Sequence, residues 1–309
     1  MAGSEASPHG ERSVVVGVDG SRHCLDAAVW AAREADRRGL RLRLVEVVEW
    51  QGVVAGHPEA VRAAAQVRSE LRSIARRDVD RTAAHVDALL PDMPVSAEVC
   101  DGVPVDVLGE ASEHAALLAI GRPVGGWGGT LLGVALAGRS ACPLVFVNEL
   151  PDAGPDDPVV VGVDGSPDSD AALEVAFAEA RDRNVYLRVL HAWSDVPLDA
   201  CADPAVEFGD FASGVRASVY ERVAPYARRH PDVEVRHSTT RDHPERALRE
   251  LSANAHLVVI GAGGRSGGLG LGQVSRRIVT TARCPVMVVG PRMRAGATAP
   301  APQDVRVAD

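Results

Sequence analysis

VVVGVDGS occupies residues 14–21, Val14 to Ser21, and returns unchanged at residues 159–166, Val159 to Ser166. The copies stand 145 positions apart. LLAIG (Leu117–Gly121) is echoed by LVVIG (Leu257–Gly261) after 140 positions, and ACPLVFV (Ala141–Val147) by RCPVMVV (Arg283–Val289) after 142. Three echoes in one order, at nearly one spacing, mean two copies of a unit of about 140 residues. The chain has 309 residues, 46% of them hydrophobic, so each copy can bury a core of its own.

Each copy opens with a β-branched run, Val14–Val18 or Val159–Val163. Apolar runs without polar alternation suit strands covered on both faces, as in a parallel sheet. An Asp-Gly-Ser turn and a helix follow; Ser166 is placed to cap and Pro167 to take the first helical position. Leu25, Ala28, Val29 and Ala32 recur at helical spacing. Next come a second strand (Leu40–Val48; Val185–Trp193) and a long helix, with Val67, Leu71, Ile74 and Ala75 on one face or around Val215–Ala227. Pro91–Pro94 and Pro231 end these helices. A third strand (Val95–Val99; Val233–His237), a helix entered at Pro104 or Pro244, the LLAIG or LVVIG strand, a glycine-rich loop, a short helix and a last strand complete each copy. Such alternation predicts α/β architecture: two tandem doubly wound, Rossmann-like domains, each with a five-stranded parallel sheet. The expected domains are residues 12–149 and 158–291, joined by ELPDAGPDDP (Glu149–Pro158). The leader and the tail from Pro291 onward read as unstructured.

A net charge of −9 argues against a nucleic-acid partner. Without an apolar run approaching about 18 residues, no membrane span is expected, and the leader lacks the apolar segment of a secretory signal. Five cysteines, Cys24, Cys100, Cys142, Cys201 and Cys284, form no CxxC and suggest no disulfide framework. A reducing cytoplasm fits them, with Cys142 and Cys284 as small buried side chains. Histidines show no pair at metal-ligand spacing, so no metal site is expected.

In a doubly wound sheet, ligands bind outside the carboxyl ends of the strands, where strand order reverses. Asp19 and Asp164 close the first strand of each copy there, with Gly162, Val163, Gly165 and Ser166 around the second. An Asp-Gly pair is an ordinary turn, but a carboxylate so placed can also accept hydrogen bonds from a ribose hydroxyl or base amino group. The loop Gly261-Ala-Gly263-Gly264-Arg265-Ser-Gly-Gly-Leu-Gly-Leu-Gly272-Gln273-Val274-Ser275 follows a strand and opens a helix. Its backbone N–H groups can converge on an anion, or it can be a plain linker. It lacks the lysine of a Walker A loop. The first-copy loop, Gly121 to Gly133, has Pro123, without a donor, and Val124 in place of Gly264. Nine positions separate Gly133 from Cys142 and twelve separate Gly272 from Cys284, so about one helical turn is missing beside it.

These motifs, over almost all of both copies, resemble the universal stress protein family in its tandem form common in actinobacteria. The resemblance implies ATP, with or without Mg²⁺, as the ligand. Family members that bind it carry G-x2-G-x9-G-(S/T), a nucleotide-contacting aspartate after strand one, and backbone meeting adenine at the end of strand two. It assigns these roles to Asp164, to backbone near Ala192, and to Gly261, Gly264 and Gly272, with Asp19, Val47, Gly121 and Gly133 as first-copy counterparts. The pattern departs in both copies: seven residues lie between Gly264 and Gly272, Gln273 replaces the Ser/Thr with Ser275 two positions on, and Val134 stands where the first copy needs a hydroxyl. The resemblance also implies pairing through the last strands, which a tandem chain can satisfy internally as a pseudo-dimer. The resemblance also allows a homodimer of such chains and contacts with other proteins.

Three readings follow. The first is a nucleotide-responsive stress or dormancy regulator, not an enzyme, binding ATP mainly in the second copy. The second is a nucleotide-independent stress interaction module with degenerate loops. The third is a weak ATPase, for which Arg265 could stabilise phosphate charge; no lysine or catalytic histidine recurs between the copies to support turnover.

Overall fold

The computed structural model of the chain describes residues 12–50, 58–122, 127–150, 153–192, 208–264 and 270–293. The leader, most of the tail, Pro123, Val124, Trp193, Cys201 and Arg265 lie outside them. The first half runs β1 (Ser13–Val18), α1 (Arg22–Arg38), β2 (Arg41–Val48), α2 (Pro58–Leu89), β3 (Val95–Asp101), α3 (Pro104–Ser112), β4 (Ala115–Gly121), α4 (Trp127–Arg139) and β5 (Leu144–Val147). The second runs β6 (Val159–Gly162), α5 (Pro167–Arg183), β7 (Leu187–Ala192), α6 (Phe208–Arg229), β8 (Val235–Thr240), α7 (Pro244–Leu251), β9 (Leu257–Gly261), α8 (Gln273–Thr281) and β10 (Val286–Val289). Helix starts follow local chemistry. Ser21 and Ser166 accept the N–H of Cys24 and Ser169, both at 3.2 Å, while Pro104, Pro167 and Pro244 open their helices.

All ten strands form one sheet in the order β3-β2-β1-β4-β5-β10-β9-β6-β7-β8. Neighbours are parallel except at the centre, where β5 and β10 pair antiparallel as Leu144–Val288, Val145–Met287 and Phe146–Val286. Each half thus protects the last strand of the other. Strand order reverses between β1 and β4, and again between β6 and β9, opening a crevice at the carboxyl ends. One core, under α1, α2, α5 and α6, runs continuously across both halves from Val14 to Met287. Cys142 and Cys284 are buried on the other face; burial pushes both thiols up to about 12, leaving them protonated and inert.

The long helix of the first half departs from expectation. Ala75 is buried, but Val67, Leu71 and Ile74 are 44%, 37% and 46% exposed. With 32 residues, α2 spans about 48 Å, far more than the strands beneath it, so its first turns overshoot the sheet.

Across the pseudo-two-fold the C-terminal turns of α1 and α5 exchange charges. Arg38 donates to Glu179 and Arg183 to Glu34, each at 2.7 Å, and Arg37 and Arg183 bind the glutamate of their own helix. Both carboxylates are buried. Burial alone would push the Glu179 carboxyl up, but Arg183 and Arg38 outweigh it and hold it below the usual range. Its contribution is therefore present above the unfolded value of about 4.3 and lost as pH falls through the folded one. Glu179→Ala leaves Arg38 and Arg183 sharing Glu34 and should lower the unfolding free energy by about 3 kcal/mol at neutral pH. Denaturant melts across pH should show that deficit shrinking below pH about 4.

Candidate functional site

In the second half, the turn after β6 is held from several sides. The Val163 N–H donates to Leu190 at 2.9 Å, and the Val163 carbonyl meets His191 Nδ1 at 2.7 Å. Asp164, half-buried, accepts the Ser166 N–H at 2.9 Å. Gly165 sits at φ 85°, where a side chain is strained, and its carbonyl accepts from Arg222 of α6 at 2.7 Å. Arg222 also grips Asp170 with two bonds of 2.7 and 2.8 Å. The turn therefore presents Asp164 from a fixed frame at the end of β6.

The glycine loop closes on that carboxylate. Gly261 ends β9 so tightly against α5 that a Cβ there would lie 2.6 Å from Asp168 Cβ. The Gly263 N–H donates to the buried Asp168 carboxylate at 2.8 Å. Gly264 then turns at φ 59°, and a Cβ on it would lie 3.0 Å from Asp164 Oδ2. Beyond the undescribed stretch, the Gly272 N–H returns to the Ala262 carbonyl at 2.7 Å and Gly272 starts α8 without a side-chain cap. In the first turn of α8, Gln273 is exposed, Val274 half-buried, and their amides have no acceptor within the helix. Ala192 ends β7, half-buried beside Thr240. Gly162 lies deeper, against Ile260 and Leu248.

Several residues read from sequence as ligand-facing have other work. Gly261 permits close packing of strand on helix, Gly263 gives its N–H to Asp168, and Ser275 donates its hydroxyl to the Gly261 carbonyl at 2.7 Å. Among the described residues, Asp164, Gly264 and the start of α8 lie together at the carboxyl ends of β6 and β9. Sequence reasoning missed Asp168, His191 and Arg222. Asp168 was visible only as an acidic residue in the first turn of a helix, an ordinary helix-start signal.

The first half repeats the frame but carries different residues at the two positions that fasten the loop in the second. Asp19, exposed, accepts the Ser21 N–H at 3.0 Å, and Gly20, at φ 71°, passes its carbonyl to Arg81 at 3.0 Å. Gly121 packs on His23, where a Cβ would lie 2.6 Å from its carbonyl carbon. His23 occupies the place of Asp168 (168 − 145 = 23), and Pro123, which has no N–H, occupies that of Gly263 (263 − 140 = 123). Acceptor and donor are both gone. His23 Nδ1 is buried without a partner among the described residues. Gly133 does not begin a helix as expected. It lies inside α4, where a Cβ would come 2.6 Å from the Phe146 ring, because α4 starts at Trp127. Val47 pairs with Cys100 at the end of β2.

A further difference sits one residue before Val47. Glu46 takes the place of His191 (191 − 145 = 46) and, in register with Leu42 and Leu44, faces α2. It is 9% exposed and its Oε2 has no hydrogen-bond partner. Burial first, then Asp78 and Asp19, push its carboxyl up to about 7 against the pull of Arg81. A glutamate inside the apolar run LVEVV was the available signal.

The second-half loop also leans on the first half. Gly270, at φ 104°, presses on α4, where a Cβ would come 2.9 Å from Val134 Cγ1 and 3.0 Å from the Val134 carbonyl oxygen. Among the described residues no group of three or more His, Cys, Asp or Glu could hold a metal ion. No described helix is long and apolar enough to cross a membrane. A groove of about 610 Å³ lies between α2 and β3 and is lined in part by Val99, the neighbour of Glu46 across the sheet; its Arg68 and Arg72 are held by Asp101 and its Arg76 by Asp80.

Comparison with known proteins agrees with this architecture. The profile of the universal stress protein family matches twice, over residues 11–148 and 157–290. Universal stress protein Rv2005c of Mycobacterium tuberculosis is 35% identical over 297 residues, covering 92% of this chain and 98% of its own. Universal stress protein Rv1996 of the same organism is 36% identical over 299 residues, covering 89% and 94%. The crystal structure of a universal stress protein from Archaeoglobus fulgidus superposes with a TM-score of 0.60 at 16% identity, covering 90% of this chain and 98% of that one, a likeness of fold. With both copies matched and relatives aligned over nearly their whole length, the chain belongs to the universal stress protein family and carries that family's unit twice in tandem.

Proposed function

We propose that the chain binds an adenine nucleotide, ATP foremost, in the second-half crevice, and that occupancy changes its contacts with protein partners in a stress response. The observation that carries this reading is the loop anchored by Asp168 and Gly263, which brings left-handed Gly264 against Asp164 beside the uncapped start of α8. A carboxylate for sugar or base and helix-terminal amides for phosphate then face one crevice. Backbone at Ala192 is the proposed seat for the base, and Gly272, Gln273 and Val274 for the phosphates. Mg²⁺, where present, would arrive on the nucleotide.

The reading is one of binding rather than turnover, since neither Asp164 nor the loop amides supply a general base aligned on water. Binding within a cytoplasmic, soluble chain is the setting we propose for it. The first-half crevice lacks the loop's anchoring bond and is the weaker site.

Calorimetric titration of ATP into wild type, Asp19→Ala and Asp164→Ala tests this reading. Asp164→Ala should weaken binding about tenfold or more, the worth of a hydrogen bond to a charged group, while Asp19→Ala leaves the principal site intact. Absence of binding by wild type, or its loss in Asp19→Ala alone, refutes the proposal. Asp168→Ala should also weaken binding although Asp168 lies beneath the loop, because Gly263 is released. Gly264→Val should abolish binding, since its φ of 59° and the 3.0 Å approach to Asp164 both oppose a branched side chain.

A further inference from the structure

Two crevices built on one plan carry different groups at the end of the second strand. In the second half this is His191, tied to the Val163 carbonyl. In the first half it is Glu46, nine-tenths buried, with an Oε2 that meets no donor. β1 runs alongside, with Val18 opposite Glu46 and Asp19 next in the chain. α2 covers the same corner, and its Asp78 lies so close to Gly20 that a Cβ there would come 2.8 Å from the carboxyl carbon. The second half has Ser218 at the place of Asp78 (218 − 140 = 78). Three carboxyl groups thus meet in the first crevice, two of which have no counterpart in the second.

We propose that Glu46 decides what the first-half crevice accepts: ionised, beside Asp19 and Asp78, it bars nucleotides, and with a proton bound it admits an adenine nucleotide. The proposal rests on the nucleotide reading of the second half and extends it to a regulated second site.

The electrostatics work as follows. The charged groups acting on Glu46 are Asp19 from the turn after β1, and Asp78 and Arg81 from α2; across the sheet on the β3 side its neighbour is Val99, without charge. Arg81 does not neutralise the group, because it already binds Asp78 at 3.0 Å and the Gly20 carbonyl at 3.0 Å. An ionised Glu46 is therefore a desolvated charge among like charges, and a nucleotide's phosphates would add more of the same sign. Protonated, Glu46 offers an O–H donor and a carbonyl acceptor, the pair that can meet a ring nitrogen and an amino group of a purine. Its carboxyl, lifted to about 7, places the change of state in the physiological range. Only the protonated fraction is competent, so first-half affinity should fall about tenfold for each pH unit above that value.

The test is calorimetry of ATP on the full chain, wild type and Glu46→Gln, at pH about 6 and about 8. Wild type should hold one equivalent at the higher pH and gain a second at the lower, while Glu46→Gln, neutral throughout, should hold two at both. One equivalent in both proteins at both pH values overturns the proposal and leaves the second-half reading standing. Two equivalents in wild type at the higher pH overturn it as well. A second equivalent that appears only at the lower pH in both proteins reflects the nucleotide's own titration and also overturns it. No binding anywhere removes both readings together. If Glu46→Gln does not fold, as circular dichroism would reveal, its place passes to Glu46→Met, neutral and of similar length, which should also hold two at both pH values.

Discussion

Everything else in this molecule is arranged around the antiparallel contact of β5 with β10. Three facing pairs, Leu144–Val288, Val145–Met287 and Phe146–Val286, turn two five-stranded sheets into one of ten. Because both strands are short and buried, neither is left as an exposed edge, and the edges that remain, β3 and β8, carry polar and charged residues that discourage pairing with other chains. The reciprocal arginine–glutamate exchange between α1 and α5 sets the same two-fold relation on one face. The covering of one half by the other is therefore fixed twice, once by backbone and once by charge.

Within that near-symmetric frame the two crevices differ in a coordinated way. The second keeps Asp168 beneath its loop together with the Gly263 N–H that satisfies it; the first has His23 and Pro123, so both members of the bond changed. A buried acceptor without its donor is expensive, which explains why the loss of one tolerates the loss of the other. The same half has Glu46 and Asp78 where the second has His191 and Ser218. Turn geometry at Gly20 and Gly165 is alike in the two halves, with φ of 71° and 85°.

The architecture was legible in the sequence because it is written as repetition and hydrophobic periodicity. Two copies, the alternation of strands and helices, and proline at the start of α3, α5 and α7 follow from residues that pack, whereas pairing of the last strands was implied by the family resemblance. The site was legible only in outline. Asp164 and Gly264 do come together, yet Gly261, Gly263 and Ser275 turn out to hold the protein to itself, which spacing alone does not reveal. Gly133 misled because its shorter span to Cys142 implied a helix one turn short, whereas α4 starts before Gly133 and is the longer, with 13 residues against 9 in α8. The exposed Val67, Leu71 and Ile74 misled for a related reason: periodicity reports a face, not whether anything lies beneath it.

The contact of Gly270 with Val134 gives the duplication a meaning beyond doubled pockets. The loop that one half would use is braced by a helix the other half supplies, and that helix begins where the neighbour's own loop ends. A copy that had lost its ligand would still be retained as scaffolding for its twin. Relaxed selection on one pocket can therefore coexist with strict selection on the wall behind it, so the two halves are free to diverge in chemistry but not to separate.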